Sequence, residues 1–342
     1  MLFDIRPKSS RRELFDREHE LSILDRLVDR GDPLILVLGI RRIGKTSLLK
    51  SFLEEWNGIY IDMRGVSRES DLYRRFSMGL SMGIERLRRF LKNIRGIKVM
   101  GIEVELKWRG RDSISLTGLL EELNRFGERI VVVFDEAQLI RPPISSLVKN
   151  CIAYTYDHLD NITVILSGSE IGLLRDFIGI ENPSSPLYGR YSYELIVRRF
   201  PRDLSLEFLE QGFHEVGLRV GREVIEEAVE LFDGIVGWLV FFGRSYLDGM
   251  RNLELILDAA VNMAYEELCK LRRNEKLVLK AIADGARSWS QVRRYIEEKT
   301  CTVIPKSTLS RTIRRLEKLS IIDNYRFLDP IYMYASKRLR IK

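Results

Sequence analysis

Short runs dominated by apolar residues alternate, between positions 34 and 166, with stretches whose apolar residues recur every three or four places. Leu34–Leu38 has strand length and no polar alternation, the pattern of a strand buried on both faces; Gly58–Met63, Ile130–Phe134 and Ile162–Leu166 read as three further short strands. Residues 15–30 set Phe15, Leu21, Leu24 and Leu27 on one side of an amphipathic helix, which Gly31-Asp32-Pro33 breaks. Further helices are predicted from Lys45 to about Trp56 and over 71–95, 115–127 and 143–159. Ile97–Trp108 alternates around Gly101, which suits a β-hairpin or a bent strand. Strands interleaved with helices predict a parallel sheet flanked by helices, an α/β doubly wound layout.

Beyond Pro201 the strand signal fades. Helical periodicity covers 203–216, 222–232, 237–247 and a connecting 252–271. The last part reads as helices over 274–283, 288–299 and 307–319. Two short strands follow, Ile321–Asp323 and Tyr325–Leu328, turning at Asn324. Three helices and a hairpin predict a winged helix, whose third helix enters the DNA major groove in its relatives. The expected division is therefore 1–200 as an α/β core, 201–268 as a helical lid and 269–342 as a winged-helix domain.

Charge sharpens that division. The net charge of the 342 residues is +7. Residues 270–342 hold 19 Lys/Arg against 7 Asp/Glu, whereas the rest of the chain is net negative. A basic terminal module suits a polyanion. On the 307–319 helix, Leu309, Ile313 and Leu316 face inward. Arg311, Arg314, Arg315 and Lys318 line the opposite side, joined by Thr308. These five are the candidate double-stranded DNA contacts, with phosphates first and base edges second. Composition excludes other classes. Cys151, Cys269 and Cys301 are far apart and form no CxxC pair, and His19, His158 and His214 stand alone. No apolar run approaches membrane-span length and no signal core opens the chain, so a cytoplasmic, membrane-free protein is expected.

The chemistry is carried by Gly39-Ile40-Arg41-Arg42-Ile43-Gly44-Lys45-Thr46-Ser47, a GxxxxGK[ST] sequence placed between a predicted strand and a predicted helix. Glycines let such a loop wrap a phosphate chain with inward backbone N–H groups at a helix N-terminus. Lys45 is expected to reach the β- and γ-phosphates of ATP, and Thr46 to ligate Mg²⁺. The run Ile130–Phe134 ends in Asp135-Glu136 about ninety residues later. Asp135 is expected in the Mg²⁺ shell, and Glu136 to polarise the attacking water. The side chains of Arg41 and Arg42 are expected to face solvent or a partner.

This series, GxxxxGKT followed by a strand ending DEAQ and a strand ending SGSE, resembles an archaeal AAA+ ATPase of the STAND superclass. Phe15-Asp16-Arg17-Glu18 with Glu20-Leu21 is similar to that family's box before the phosphate loop, which in relatives packs near adenine. Leu187-Tyr188-Gly189-Arg190 and Phe232-Asp233-Gly234-Ile235-Val236-Gly237-Trp238-Leu239 resemble two later motifs. The second departs at Asp233, where Gly is common, and at Val236, where relatives carry a lid proline, so the lid's contact with nucleotide is open. The resemblance implies that Ser169 (or Ser167) senses the γ-phosphate and that Arg190 acts as an arginine finger or phosphate sensor. The expected function is an ATP-hydrolysing switch, binding ATP or ADP with Mg²⁺ and coupled to the winged helix. The alternatives are an initiator of the origin-recognition type and a nucleotide-gated regulator with negligible turnover and a protein-binding winged helix. A homo-oligomer or a regulatory protein partner is compatible with all three.

Overall fold

A computed structural model of the chain describes residues 1–83, 85–301 and 303–340. Helix α1 (Glu18–Arg30) leads into β1 (Leu34–Leu38), α2 (Lys45–Phe52) and β2 (Gly58–Asp62). An excursion then holds α3 (Glu69–Ser81), α4 (Glu85–Leu91) and the hairpin β3 (Ile97–Met100) and β4 (Glu103–Leu106). The chain returns through α5 (Leu116–Asn124), β5 (Ile130–Asp135), α6 (Ile144–His158), β6 (Ile162–Gly168), α7 (Ile171–Ile178) and β7 (Tyr193–Ile196). The five long-range strands form one parallel sheet in the order β2-β5-β6-β1-β7. Strands β1, β5 and β6 are buried at every position because helices cover both faces. Alternate residues of β1 feed opposite cores: Leu34, Leu36 and Leu38 one way, Ile35 and Val37 the other.

The chain leaves β1 for one edge at β2 and later crosses β1 to reach β7 at the other. The crevice at such a reversal is where α/β sheets bind ligands, and here it lies at the carboxyl end of β1. The single helix expected over 71–95 is two helices, parted beyond Ser81; position 84 lies outside the described residues. Strand β7 was not foreseen, because an edge strand carrying Glu194 and paired on one side only has no continuous apolar run.

Helices α8 (Arg202–Glu215), α9 (Arg222–Phe232), α10 (Val236–Leu247) and α11 (Leu253–Cys269) form the helical lid. The winged helix follows as α12 (Arg273–Ala283), α13 (Trp289–Thr300), α14 (Lys306–Lys318), β8 (Ile322–Asp323) and β9 (Arg326–Phe327). A further helix, α15 (Pro330–Lys337), ends it and went unpredicted. Asp329 caps α15 by accepting from Ile331 N–H at 2.8 Å, and Pro330 sits in the first turn where it costs no hydrogen bond. Because α15 packs on α9, α11 and α12, lid and winged helix share one apolar core instead of separating at residue 268. Positions 302, 341 and 342 of the expected winged-helix domain lie outside the described residues.

Two contacts bring these parts to the sheet. Phe3 is fully buried in the lid, against Phe208 and Phe213. It fits because residues 212 and 243 are glycines: a Cβ at either would stand under 2.5 Å from the ring. Burial of such a ring contributes about 2–3 kcal/mol, enough to anchor the N-terminal strap that next passes α2, where Lys8 N–H donates to Ser47 Oγ at 3.2 Å. The winged helix meets α7 through Lys318 to Asp176 at 2.7 Å and Ile171 N–H to Ser320 Oγ at 2.9 Å.

Candidate functional site

The loop after β1 is held by its own sequence. Gly39 passes so near β7 that a Cβ would lie 2.8 Å from the Val197 carbonyl oxygen, and Gly44 has φ 99° as it caps α2. Lys45 is buried, and its Nζ donates to the carbonyls of Gly39 at 2.7 Å and Ile40 at 3.0 Å. Burial pushes its pKa down to about 8, against the pull of Glu136 and Asp135. An ammonium folded onto loop carbonyls is ready to exchange them for phosphate oxygens. Ser47 follows in α2.

Asp135, at the end of β5, is almost fully buried and ringed by donors. Thr46 Oγ1 donates to its Oδ2 at 2.9 Å, and the Tyr60 hydroxyl donates to the same oxygen. Ser167 Oγ and Glu136 N–H donate to Oδ1. Sequence reasoning missed Tyr60. Its signal was a lone tyrosine near the end of β2, the neighbour of β5. Burial and the Asp135 charge raise its pKa, so it stays a donor. The hydroxyl of Thr46 and the carboxylate of Asp135 are adjacent hard oxygen donors beside a phosphate loop, a set that fits Mg²⁺.

Glu136 adopts left-handed backbone angles, φ 55° and ψ 42°. That turn swings its carboxylate across to β6, where Ser169 Oγ donates at 2.9 Å and Gln138 Nε2 at 2.6 Å. The structure therefore brings Lys45, Thr46, Asp135, Glu136 and Ser169 together. Lys45, Thr46, Ser47, Glu136 and Ser169 all line one cavity of about 620 Å³. Its apolar end is made by Phe15, Phe200, Phe208, Val240 and Phe241, and residues Ile5–Lys8 of the strap border it. Arg17 stands behind the loop, donating to Ile43 and Arg198 carbonyls at 3.4 and 3.1 Å, with its guanidinium 4.5 Å from the Phe200 ring centroid.

Three expectations are corrected. Arg41 and Arg42 do not stand free in solvent: Arg41, itself exposed, bridges Glu170 at 2.9 Å and Glu267 at 3.0 Å, and Arg42 reaches Glu267 at 2.8 Å. Of these four groups only Glu170 is buried, and it is tolerated there because Arg41 faces it. Arg190 is not at the phosphate loop of its own chain. It precedes β7 at the opposite end of the sheet, where it pairs with Asp157 at 2.6 Å and donates to the Pro186 carbonyl. The cationic stripe of α14 is not wholly free: Arg315 pairs with the buried Glu275 at 2.7 Å, and Lys318 with Asp176. Arg311 and Arg314 are exposed and Thr308 is half-buried. The lid, by contrast, needs no proline to touch the loop. Gly237 N–H donates to the Arg42 carbonyl at 2.8 Å, and Val236 lies at Gly44.

Among the described residues no cluster of His, Cys, Asp and Glu suits a metal by itself, and no helix is long and apolar enough to cross a membrane. Sheet order, phosphate loop and lid together define a P-loop ATPase core of the AAA+ type carrying a C-terminal winged helix. Residues 14–242 match the family of ATPase domains predominantly from Archaea, and the chain belongs to that family. Residues 271–327 match the C-terminal winged helix-turn-helix domain of MCM proteins. The chain is similar to a Walker-type ATPase of Pyrococcus abyssi at 39% identity and TM-score 0.84, covering 98% of this chain and 100% of that one. An uncharacterised ATP-binding protein of the same organism is 25% identical across 92% of this chain and 99% of its own length. Another, from Methanocaldococcus jannaschii, is 21% identical across 95% of this chain and 91% of its own. The Cdc6p structure from Pyrobaculum aerophilum shares the fold, at TM-score 0.50 and 16% identity over 94% of this chain and 90% of that one.

Proposed function

We propose that the protein is an ATP-hydrolysing switch whose nucleotide state governs a DNA-binding winged helix. The observation that carries this reading is one network spanning all three parts. Arg41 and Arg42 of the phosphate loop converge on Glu267 of α11, and the Tyr332 hydroxyl of α15 donates to the same carboxylate. Arg41 also holds Glu170, next to the candidate sensor Ser169. A loop that moves when phosphate arrives pulls on lid and winged helix at once.

In this reading the backbone of residues 39–44 and Lys45 bind the phosphates, and Ser47 helps to hold the strap. Thr46 and Asp135 hold Mg²⁺, which neutralises charge on the phosphate oxygens when bound. Glu136 takes a proton from the attacking water, while Ser169 reads the γ-phosphate. Arg190, remote from its own loop and half-buried against Asp157 at the other end of the sheet, acts in a neighbouring subunit of a homo-oligomer once that pair opens. On α14, Arg311, Arg314 and Thr308 contact DNA directly, and Arg315 and Lys318 join once their internal pairs open.

The test is duplex affinity of the full chain without nucleotide, with ADP and with ATP under conditions that block turnover, alongside Lys45→Ala. Nucleotide-dependent affinity that Lys45→Ala abolishes supports the switch. Affinity indifferent to nucleotide refutes it. The occupied Arg315 and Lys318 also favour a second reading, a winged helix that docks on protein; absence of DNA binding at low salt in every state would select it.

A further inference from the structure

Gln138 is 2% exposed and lies beneath the end of β6. One end of its amide donates to Glu136 Oε2 at 2.6 Å, while the other, Oε1, is buried without a partner among the described residues. An unmet buried acceptor costs about 1–3 kcal/mol, so packing alone favours an apolar side chain here. The space for the amide exists because residue 168 has no side chain: a Cβ on Gly168 would stand 2.4 Å from Gln138 Oε1.

The other half of the arrangement is Glu136. Its left-handed backbone brings the carboxylate over Ser169, whose hydroxyl and N–H donate to Oε2 at 2.9 and 3.3 Å. With Gln138, three donors converge on one oxygen. Glu136 lines the same cavity as Lys45, and Oε1 is the oxygen left to accept from a water there. Ser169 also lines the cavity, so a γ-phosphate would compete for its hydroxyl. Gln138 does not line it and keeps its hold on Oε2 whatever Ser169 does.

We propose that Gln138 is a positioning residue for hydrolysis, its amide fixing Oε2 of Glu136 so that Oε1 faces the attacking water. This rests on the reading of Glu136 as the base. In the step, the water oxygen bonds to the γ-phosphorus and its proton passes to Glu136 Oε1. The bond from the γ-phosphorus to the bridging oxygen breaks, and ADP keeps the electron pair. Phosphate leaves, and the carboxyl later returns its proton to solvent. A carboxylate loose about its last torsion spends less time aimed at the water, and misaiming by about 1 Å can cost on the order of 100-fold.

The experiment uses the full-length protein and a cycle of Gln138→Leu with Glu136→Gln. Gln138→Leu removes the donor and the orphaned acceptor together, so its Tm is expected at or above wild type. Its nucleotide Kd is expected within about twofold of wild type and its kcat at least tenfold lower. Added to Glu136→Gln, the same change is expected to alter kcat by less than twofold, because no base remains to orient. Gln138→Met, unbranched and of similar length, carries the same expectations if Gln138→Leu does not fold. Wild-type kcat in the single variant overturns the proposal, as does an equal loss in both backgrounds. A wild type that turns over ATP no faster than Glu136→Gln overturns the reading of Glu136 itself, and this inference with it.

Discussion

The guanidinium of Arg42 lies 4.1 Å from the ring centroid of Trp238, and the same indole donates its N–H to Asp329 Oδ2 at 2.8 Å. Arg42 belongs to the phosphate loop, Trp238 to the lid and Asp329 to the turn before α15. One buried aromatic therefore touches all three parts. Arg42 has φ 64°, a left-handed conformation that the lid stabilises through Gly237 N–H on its carbonyl. A conformation costing about 1–3 kcal/mol persists only where its surroundings hold it. The loop is thus tied to the lid before nucleotide arrives.

Glu267 is where that tie can be loosened. Glu267→Gln keeps the shape and removes the charge that Arg41 and Arg42 share. The pairs are partly buried, so a loss of about 1–3 kcal/mol is expected, read as a lower Tm. Small-angle scattering should show a more extended particle as α15 and α11 part from the loop. An unchanged Tm and an unchanged radius of gyration would show that the docking does not depend on this carboxylate.

Lys45 gives nucleotide binding a pH dependence with a definite sign. Burial holds its pKa near 8, below its ordinary 10.5. A depressed lysine pKa favours the neutral form in the folded protein, so the group weighs fully against folding below pH 8, and that weight lifts as pH rises from 8 towards 10.5. Binding a polyanion reverses the preference and restores the ammonium. ATP affinity is therefore expected to be full below pH 8 and to fall above it, with proton uptake on binding near pH 8 and higher. Calorimetry in two buffers of different ionisation enthalpy measures that uptake, and Lys45→Ala should abolish it. Proton release, or none at pH 8.5, would show that Asp135, Glu136 and Arg41 set the site's charge differently.

Glu136→Gln is expected to bind ATP as the wild type does and to hydrolyse it about 10²–10⁴-fold more slowly. The amide fits the same space and still accepts from Ser169. Single-turnover hydrolysis with a separate Kd measurement decides the matter: lost binding would make Glu136 structural, and an unchanged rate would move the base elsewhere.

The parts of this protein legible in its sequence were those where local pattern and tertiary role coincide. The buried strands β1 and β5 announce themselves by unbroken apolar runs, β6 by one interrupted only at Thr163, and the phosphate loop by the glycines its turn requires. Edge strand β7 and helix α15 lack that redundancy, although Asp329-Pro330 was a helix start signal in plain view. Of the residues around Asp135 and Glu136, Tyr60 and Gln138 could not be found from spacing, since only strand register and the gap above Gly168 bring them there. The stripe of α14 misled for a related reason. Helical periodicity shows which residues share a face but not which carboxylates of α7 and α12 await them.

That last point makes the DNA prediction specific. Arg314 is exposed on α14, whereas Lys318 is held by Asp176 and Arg315 by Glu275. Each phosphate neutralised contributes a salt-dependence slope of about −0.9 in log affinity against log salt. In the full chain, Arg314→Ala should flatten the slope by about one unit and weaken all duplexes alike. Lys318→Ala should change little while the pair with Asp176 is made. Asp176→Asn should free Lys318, strengthening binding at low salt and steepening the slope by about one. Thr308 and Arg311, earlier in the helix, should alter sequence preference in place of the slope. Lid and winged helix share one core, so these titrations belong on the intact protein and not on a fragment beginning near residue 270. If Asp176→Asn leaves affinity and slope unchanged while Arg314→Ala acts as expected, α14 meets DNA without leaving α7. If neither substitution matters, DNA does not bind this helix.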